Sequence, residues 1–154
     1  MNKWFWGVLI FCFLIVNETT VDLILAITIG GFDFKASIEQ IFRYSSLLGY
    51  FESTPFRLIP YLLLTSLAAF LGGHYSFHEK VAFWGALMAI ALFHCWGYWG
   101  LNYPSYTGEH LSSTAGLALI FIPLHAIWVG LLAGIASGLA SLLSASVFKK
   151  VRGV

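Results

Sequence analysis

Four long apolar stretches, separated by short polar segments, dominate the pattern of the chain. They cover about residues 4–29, 56–73, 81–101 and 113–135, and the last one continues as a helical extension to about residue 148. A bilayer offers no water to the backbone, and the alternating pattern of a membrane β-barrel is absent, so each stretch is expected to be an α-helix. The pattern predicts an all-α integral membrane protein: a four-transmembrane-helix bundle that forms one membrane domain over residues 1–154.

An amphipathic helix is predicted between the first two spans, over about residues 35–48. Apolar residues recur there at helical spacing, and the other face carries a charged ladder formed by Lys35, Glu39 and Arg43. Helices of this kind lie flat in the headgroup region of a membrane. We expect this interfacial helix to end at Gly49 and Pro55, before the second span begins.

The composition supports a lipid environment. Hydrophobic residues make up 59% of the 154 residues and charged residues only 10%, whereas a soluble globular domain has about 25% charged residues. The lipid bilayer is therefore the first expected partner. The formal net charge of +1 gives no indication of a nucleic-acid partner.

Basic residues between the spans predict the orientation. An even number of spans places both termini on one side, which carries five basic residues, against three on the other side: Lys35, Arg43 and Arg57. Basic residues favour the cytoplasmic side, so both termini are expected in the cytoplasm. The segment SSTAGLALIFIPLHAIWVG (residues 112–130) resembles small bacterial inner-membrane proteins, which implies a location in that membrane. The resemblance covers under a fifth of the chain and includes no catalytic motif.

A polar interruption, NETTVD, lies inside the first apolar stretch. A helix over residues 4–29 would be about 39 Å long, and neither half spans a bilayer alone, so we expect one continuous helix. Glu18 and Asp22 then share a face near the middle of the membrane, beside Asn17. A charge there costs about 2.5–3.5 kcal/mol. The carboxylates therefore mark either a proton or cation site, or a helix shifted outward so that Asp22 approaches water.

Two histidines lie inside predicted spans, His94 in the third and His125 in the fourth. Together with Glu18 they could meet near the bundle centre. Facing histidines can ligate a haem or relay protons, and a lone membrane histidine can simply bond a neighbouring helix. His74 and His78 share metal-ligand spacing but fall at a turn, so neither a metal site nor a cofactor is predicted, with haem kept as an alternative.

A row of small residues at four-residue spacing runs along the fourth span: Ala126, Gly130, Gly134 and Gly138. Such rows let helix backbones approach closely. The row predicts close packing, either inside the bundle or against a second copy or a membrane partner.

Three hypotheses for function follow. No nucleotide-binding loop, Ser-His-Asp set or CxxC motif is present in the sequence, which favours a protein that is not an enzyme. The first hypothesis is association within the membrane, as an accessory subunit or an immunity or exclusion factor. The second is a proton- or ion-conducting or transporting unit centred on Glu18, Asp22 and His125. The third is a b-type haem or quinone protein using His94 and His125.

Overall fold

The computed structural model describes residues 2–44, 47–71, 75–110 and 115–151. Within these ranges the chain forms seven helices and no β-strand: α1 Lys3–Ile15, α2 Glu18–Thr28, α3 Phe34–Tyr44, α4 Leu47–Phe70, α5 Phe77–Asn102, α6 Pro104–Thr107 and α7 Ala115–Val151. The predicted all-α class is therefore confirmed for the described part of the chain.

Among the described residues, two helices are long and apolar enough to cross a membrane, and a third candidate is a bent pair. The two long helices are α5 and α7, and the bent pair is α1 with α2. At 26 residues, α5 is about 39 Å long, against about 30 Å for the hydrocarbon core. The apolar part of α4, Thr54–Phe70, is shorter than either long helix. The structure therefore supports two to three spans by length and composition.

The first apolar stretch is broken, so the prediction of one continuous helix was wrong. The axes of α1 and α2 differ in direction by 63°. Asn17 lies at the break with extended backbone angles, and its side-chain oxygen accepts a 2.8 Å hydrogen bond from the amide of Thr20. Its side-chain nitrogen donates to the carbonyl of Leu14, also at 2.8 Å. Asparagine favours a cap over a helix interior because its side chain competes for backbone groups. Asn17 thus satisfies both helix ends at once.

The boundary between α3 and α4 also differs from the prediction. The amphipathic helix ends at Tyr44, and α4 runs through Gly49 and through two prolines, Pro55 and Pro60. A proline removes one helical hydrogen bond, but neighbouring helices and local adjustment satisfy the freed carbonyl in tightly packed membrane bundles. Pro55 therefore does not end a helix here.

Helix α5 begins one turn before the predicted third span because a capping box fixes its start. The amide of Ser76 donates to the carboxylate of Glu79 at 2.6 Å, and the amide of Glu79 donates to the Ser76 hydroxyl at 3.3 Å. Helix α7 is continuous through Pro123. The predicted caps for it, Ser112 or Ser113, lie outside the described residues, as does His74.

The glycine row of α7 packs against α5. A Cβ atom built on Gly134 would lie 3.2 Å from both the carbonyl oxygen of Ala82 and the Cβ of Ala86, and one on Gly130 would lie 2.6 Å from the Ile90 side chain. On the same interface, His78 Nδ1 lies 2.6 Å from the Ser141 hydroxyl oxygen. Small residues thus bring these two helices into close contact, as such rows do in membrane proteins.

The helices alternate in direction. Phe5 near the start of α1 packs on Phe83 and Trp84 near the start of α5. Ser141 near the end of α7 also meets the first turn of α5. The beginning of the chain and the end of α7 therefore lie at the same end of the bundle.

Two apolar clusters fill the bundle. The first core, at the end near the start of α5, includes Phe5, Leu9, Leu64, Phe83, Leu87 and Ile90. The second core, at the opposite end, is formed by Val21, Leu25, Tyr98 and Ile122.

Candidate functional site

Polar side chains from three helices, α2, α4 and α5, and from the break before α2 gather where the two cores meet. We call this group the polar layer, and define it as Asn17, Glu18, Arg57, Tyr61, His94 and Tyr98. His94 lies about one turn past the middle of α5 and Tyr98 about two turns past it. The layer is therefore displaced from the centre of the bundle toward the end that holds α6.

Arg57 is the buried cation of the polar layer, with only 4% of its surface exposed. Its guanidinium carbon lies 4.8 Å from the centre of the Phe13 ring, in the last turn of α1. Its charge acts on four other members of the layer: Glu18, Tyr61, His94 and Tyr98. A desolvated guanidinium over an aromatic face gains cation–π attraction. Arg57 therefore links α1, α2, α4 and α5 electrostatically.

The two carboxylates of α2 face different partners. Glu18, the first residue of α2, is half-buried and lies in the electrostatic field of Arg57 and of Asp22. Asp22 accepts a 2.8 Å hydrogen bond from the hydroxyl of Tyr106, on the short helix that follows α5. Asp22 therefore lies toward the α6 end of the bundle.

Three aromatic rings form a stack across α4 and α5. The Tyr61 and His94 ring centres are 5.8 Å apart with an interplanar angle of 26°, and those of His94 and Tyr98 are 5.7 Å apart. His94 Nδ1 lies 2.8 Å from the carbonyl oxygen of Ile90. A carbonyl can only accept, so Nδ1 carries the proton and Nε2 presents a lone pair.

His125 lies apart from the polar layer, contrary to the expectation that it would meet Glu18 and His94. It is exposed on α7, and its Nδ1 lies 2.8 Å from the carbonyl oxygen of Phe121 on the same helix. His94 is fully buried. The two imidazoles therefore lie in different environments, one inside the bundle and one on the surface of α7. The described residues also contain no group of three or more His, Cys, Asp or Glu side chains placed to hold a metal ion.

Sequence reasoning identified Asn17, Glu18 and His94 but missed Arg57 and the tyrosines. Arg57 was counted among the basic residues of an outer loop. The sequence did contain a signal for these residues. Arg57 precedes Tyr61 by four residues, and His94 precedes Tyr98 by four residues, so each pair shares a helix face. An arginine and a tyrosine on one face of an apolar segment indicate a polar contact inside the bundle.

An apolar cleft of about 290 Å³ lies beside the first core, between α4, α5 and α7. Buried small residues form its floor, including Ala86, Gly130 and Gly134, and exposed larger residues such as Leu67 and Leu131 form its sides. The remaining member of the predicted row, Ala126, is fully buried in the first core.

No protein family model matches the chain. No curated protein and no solved structure matches it either.

Proposed function

We propose that this protein handles a proton or a small ion at the polar layer, within a membrane. The observation that carries the proposal is the placement of Glu18 and the buried Arg57 together at a helix break between two apolar cores. Ionisable residues inside a membrane are costly and are characteristic of ion and proton pathways. Discontinuous helices form such sites in many transporters.

The helix break favours this arrangement of charges. The carbonyl end of a helix carries partial negative charge and the amide end partial positive charge. Arg57 lies over Phe13 at the carbonyl end of α1, and Glu18 lies at the amide end of α2. Each charge thus sits at the helix terminus that stabilises it, so the site can hold charges away from water.

The proposed topology has four crossings, made by the α1–α2 pair, α4, α5 and α7. Contacts along the helices support it: Tyr61 of α4 stacks on His94, and Tyr75, after α4, packs on Phe83, so α4 runs antiparallel to α5. Helix α3 would lie at the interface, since Phe34 and Phe42 are exposed on it. Both termini would face the cytoplasm of a bacterium, as the basic residues favour.

The function is tested by reconstituting the purified protein in liposomes that contain a pH-sensitive dye and imposing a membrane potential. We expect proton entry above that of empty liposomes, and a fall of about a hundredfold in Glu18→Gln, which cannot accept a proton. Glu39→Gln on the exposed face of α3 is the matched control and should keep the wild-type rate. Equal rates for Glu18→Gln and wild type would contradict the proposal.

Association with a membrane partner is the second candidate, and the apolar cleft favours it. The glycine row packs on α5, and the cleft beside it presents a floor of small residues. A partner helix could pack there. Leu131→Trp would fill the cleft, whereas Leu132→Trp, on the neighbouring exposed position, would not. Loss of a co-purifying protein in the first variant alone supports association, and its retention in both contradicts it.

A further inference from the structure

Two buried polar atoms in the polar layer have complementary hydrogen-bonding needs. His94 is 0% exposed and Tyr61 is 1% exposed. Within the described part of the chain, neither His94 Nε2 nor the Tyr61 hydroxyl has a hydrogen-bond partner. The Nε2 lone pair needs a donor, because Nδ1 carries the ring proton toward the carbonyl of Ile90. The Tyr61 hydroxyl can supply a donor and needs an acceptor.

The two atoms belong to neighbouring side chains and do not bond each other. Their rings are stacked, with centres 5.8 Å apart, so the hydroxyl and the ring nitrogen lie at the edges of the stack. A buried polar atom without a partner is strongly unfavourable. One water molecule can accept from a phenol and donate to an imidazole, and buried waters occur where several protein groups of this kind converge.

We propose that a bound water bridges Tyr61 to His94 Nε2, and that this bridge relays protons for the Glu18 site. The inference rests on the proposed function and names the species: a proton, not a metal cation. The fixed positive charge of Arg57 acts on both Tyr61 and His94, so it repels a metal cation in this low-dielectric environment. A proton needs no coordination site, because it transfers along hydrogen bonds.

The relay step balances without an oxidant or reductant. Glu18 acts on Tyr98, whose ring centre lies 5.7 Å from that of His94. When Glu18 is protonated, its proton passes to water, and a water proton bonds His94 Nε2. The products are a carboxylate and an imidazolium, and the reverse step restores both groups. Arg57 disfavours the imidazolium, so the proton does not remain on His94. The titratable groups that act on Tyr61 or His94 are Arg57, Tyr98, Cys12 and Cys95.

The bound water is tested by solid-state NMR on protein with ¹⁵N-labelled histidine in liposomes. We expect an unprotonated Nε2 signal for His94 that shows magnetisation transfer from water. Tyr61→Phe should weaken this transfer, while Tyr103→Phe, a matched change at the end of α5, should leave it intact. A His94 signal without water transfer in the wild-type protein would overturn the bridge, whatever the transport activity.

The relay is tested by the liposome assay with the same variants. Tyr61→Phe and His94→Phe should each slow proton entry by about tenfold, the effect of losing one hydrogen bond of the path, and Tyr103→Phe should not. Sodium entry should stay at the level of empty liposomes. Unchanged proton entry in both layer variants overturns the relay even if Glu18→Gln is inactive, and an active Glu18→Gln overturns the proposed function itself.

Discussion

Two hydrogen bonds of the Asn17 side chain determine where the first apolar stretch breaks into two helices. Asn17 caps the amide end of α2 and satisfies a carbonyl at the end of α1. A membrane leaves unsatisfied backbone groups without water, so both bonds matter more there than at an exposed helix end.

The first prediction concerns this cap. Asn17→Ala should lower the free energy of unfolding by about 1–2 kcal/mol, because a helix cap is lost together with a second bond. Asn2 caps α1 at an exposed end with a single bond, so Asn2→Ala is the matched control with a smaller loss. Reversible unfolding in detergent micelles measures both. An equal loss in the two variants would show that the break does not depend on Asn17.

The second prediction concerns the coupling between Glu18 and Arg57. In a double-mutant cycle of Glu18→Gln and Arg57→Gln, we expect a coupling energy of about 1–3 kcal/mol, since a charge that loses its neighbour remains partly desolvated. Glu39, exposed on α3, provides the control cycle with Arg57, where the effects should add. Additive effects in both cycles would show that Glu18 and Arg57 are not energetically coupled.

Sequence reasoning at this scale identifies unusual residues but not their partners. Asn17, Glu18 and His94 stand out because polar residues interrupt apolar runs. Packing determines which face of a helix contacts its neighbours, and the sequence alone does not show it. His125 is therefore exposed, and Arg57, which was counted as a loop residue, is buried.

At the scale of elements, the interface between α5 and α7 depends on backbone proximity. A Cβ on Gly134 would meet the carbonyl oxygen of Ala82 at 3.2 Å, whereas a Cβ on Gly116, in the same helix, would meet no atom within 4 Å. The two glycines thus separate the effect of packing from the effect of glycine on helix stability.

The third prediction uses this pair. Gly134→Leu should lower the free energy of unfolding by about 1–3 kcal/mol, as expected for overpacking. Gly116→Leu should leave stability unchanged or raise it by up to about 1 kcal/mol, because leucine favours helices over glycine. Thermal unfolding in detergent compares the two. A loss of the same size at Gly116 would mean that close contact with α5 is not the cause.

Hydropathy predicted the existence of α5 and α7 best, although not the start of α5, which a capping box fixes. The apolar runs of α5 and α7 are long and uninterrupted, so their existence is evident from the sequence. The break at Asn17 and the passage of α4 through Pro55 were not, because a few hydrogen bonds and the packing of neighbours outweigh the average polarity of a segment.

At the scale of the whole molecule, the polar layer lies where two apolar cores meet, with Tyr61 in the first core and Tyr98 in the second. The first core packs α1, α4, α5 and α7, and the second packs α2 against α5 and α7. The contacts of Phe5 and Ser141 place the start of the chain and the end of α7 at one end.

The fourth prediction tests this arrangement in cells. In a background with Cys12→Ser and Cys95→Ser, we expect a membrane-impermeant maleimide to reach Ser105→Cys from one side only. Asn2→Cys and Ser146→Cys, near the two ends of the chain, should be labelled from the opposite side. Labelling of Asn2→Cys and Ser146→Cys from different sides would contradict the alternating bundle.

The order in which the chain is synthesised gives the Glu18–Arg57 neighbourhood a further consequence. Glu18 leaves the ribosome before Arg57, so the bent first pair reaches the insertion machinery without the cation that compensates it. The pair must then wait at the protein-conducting channel, or enter lipid with its carboxyl neutral, until α4 follows. In the proposed topology, insertion of the first pair is thus expected to be late and cooperative, and truncation before α4 should lower the fraction of the first segment that integrates.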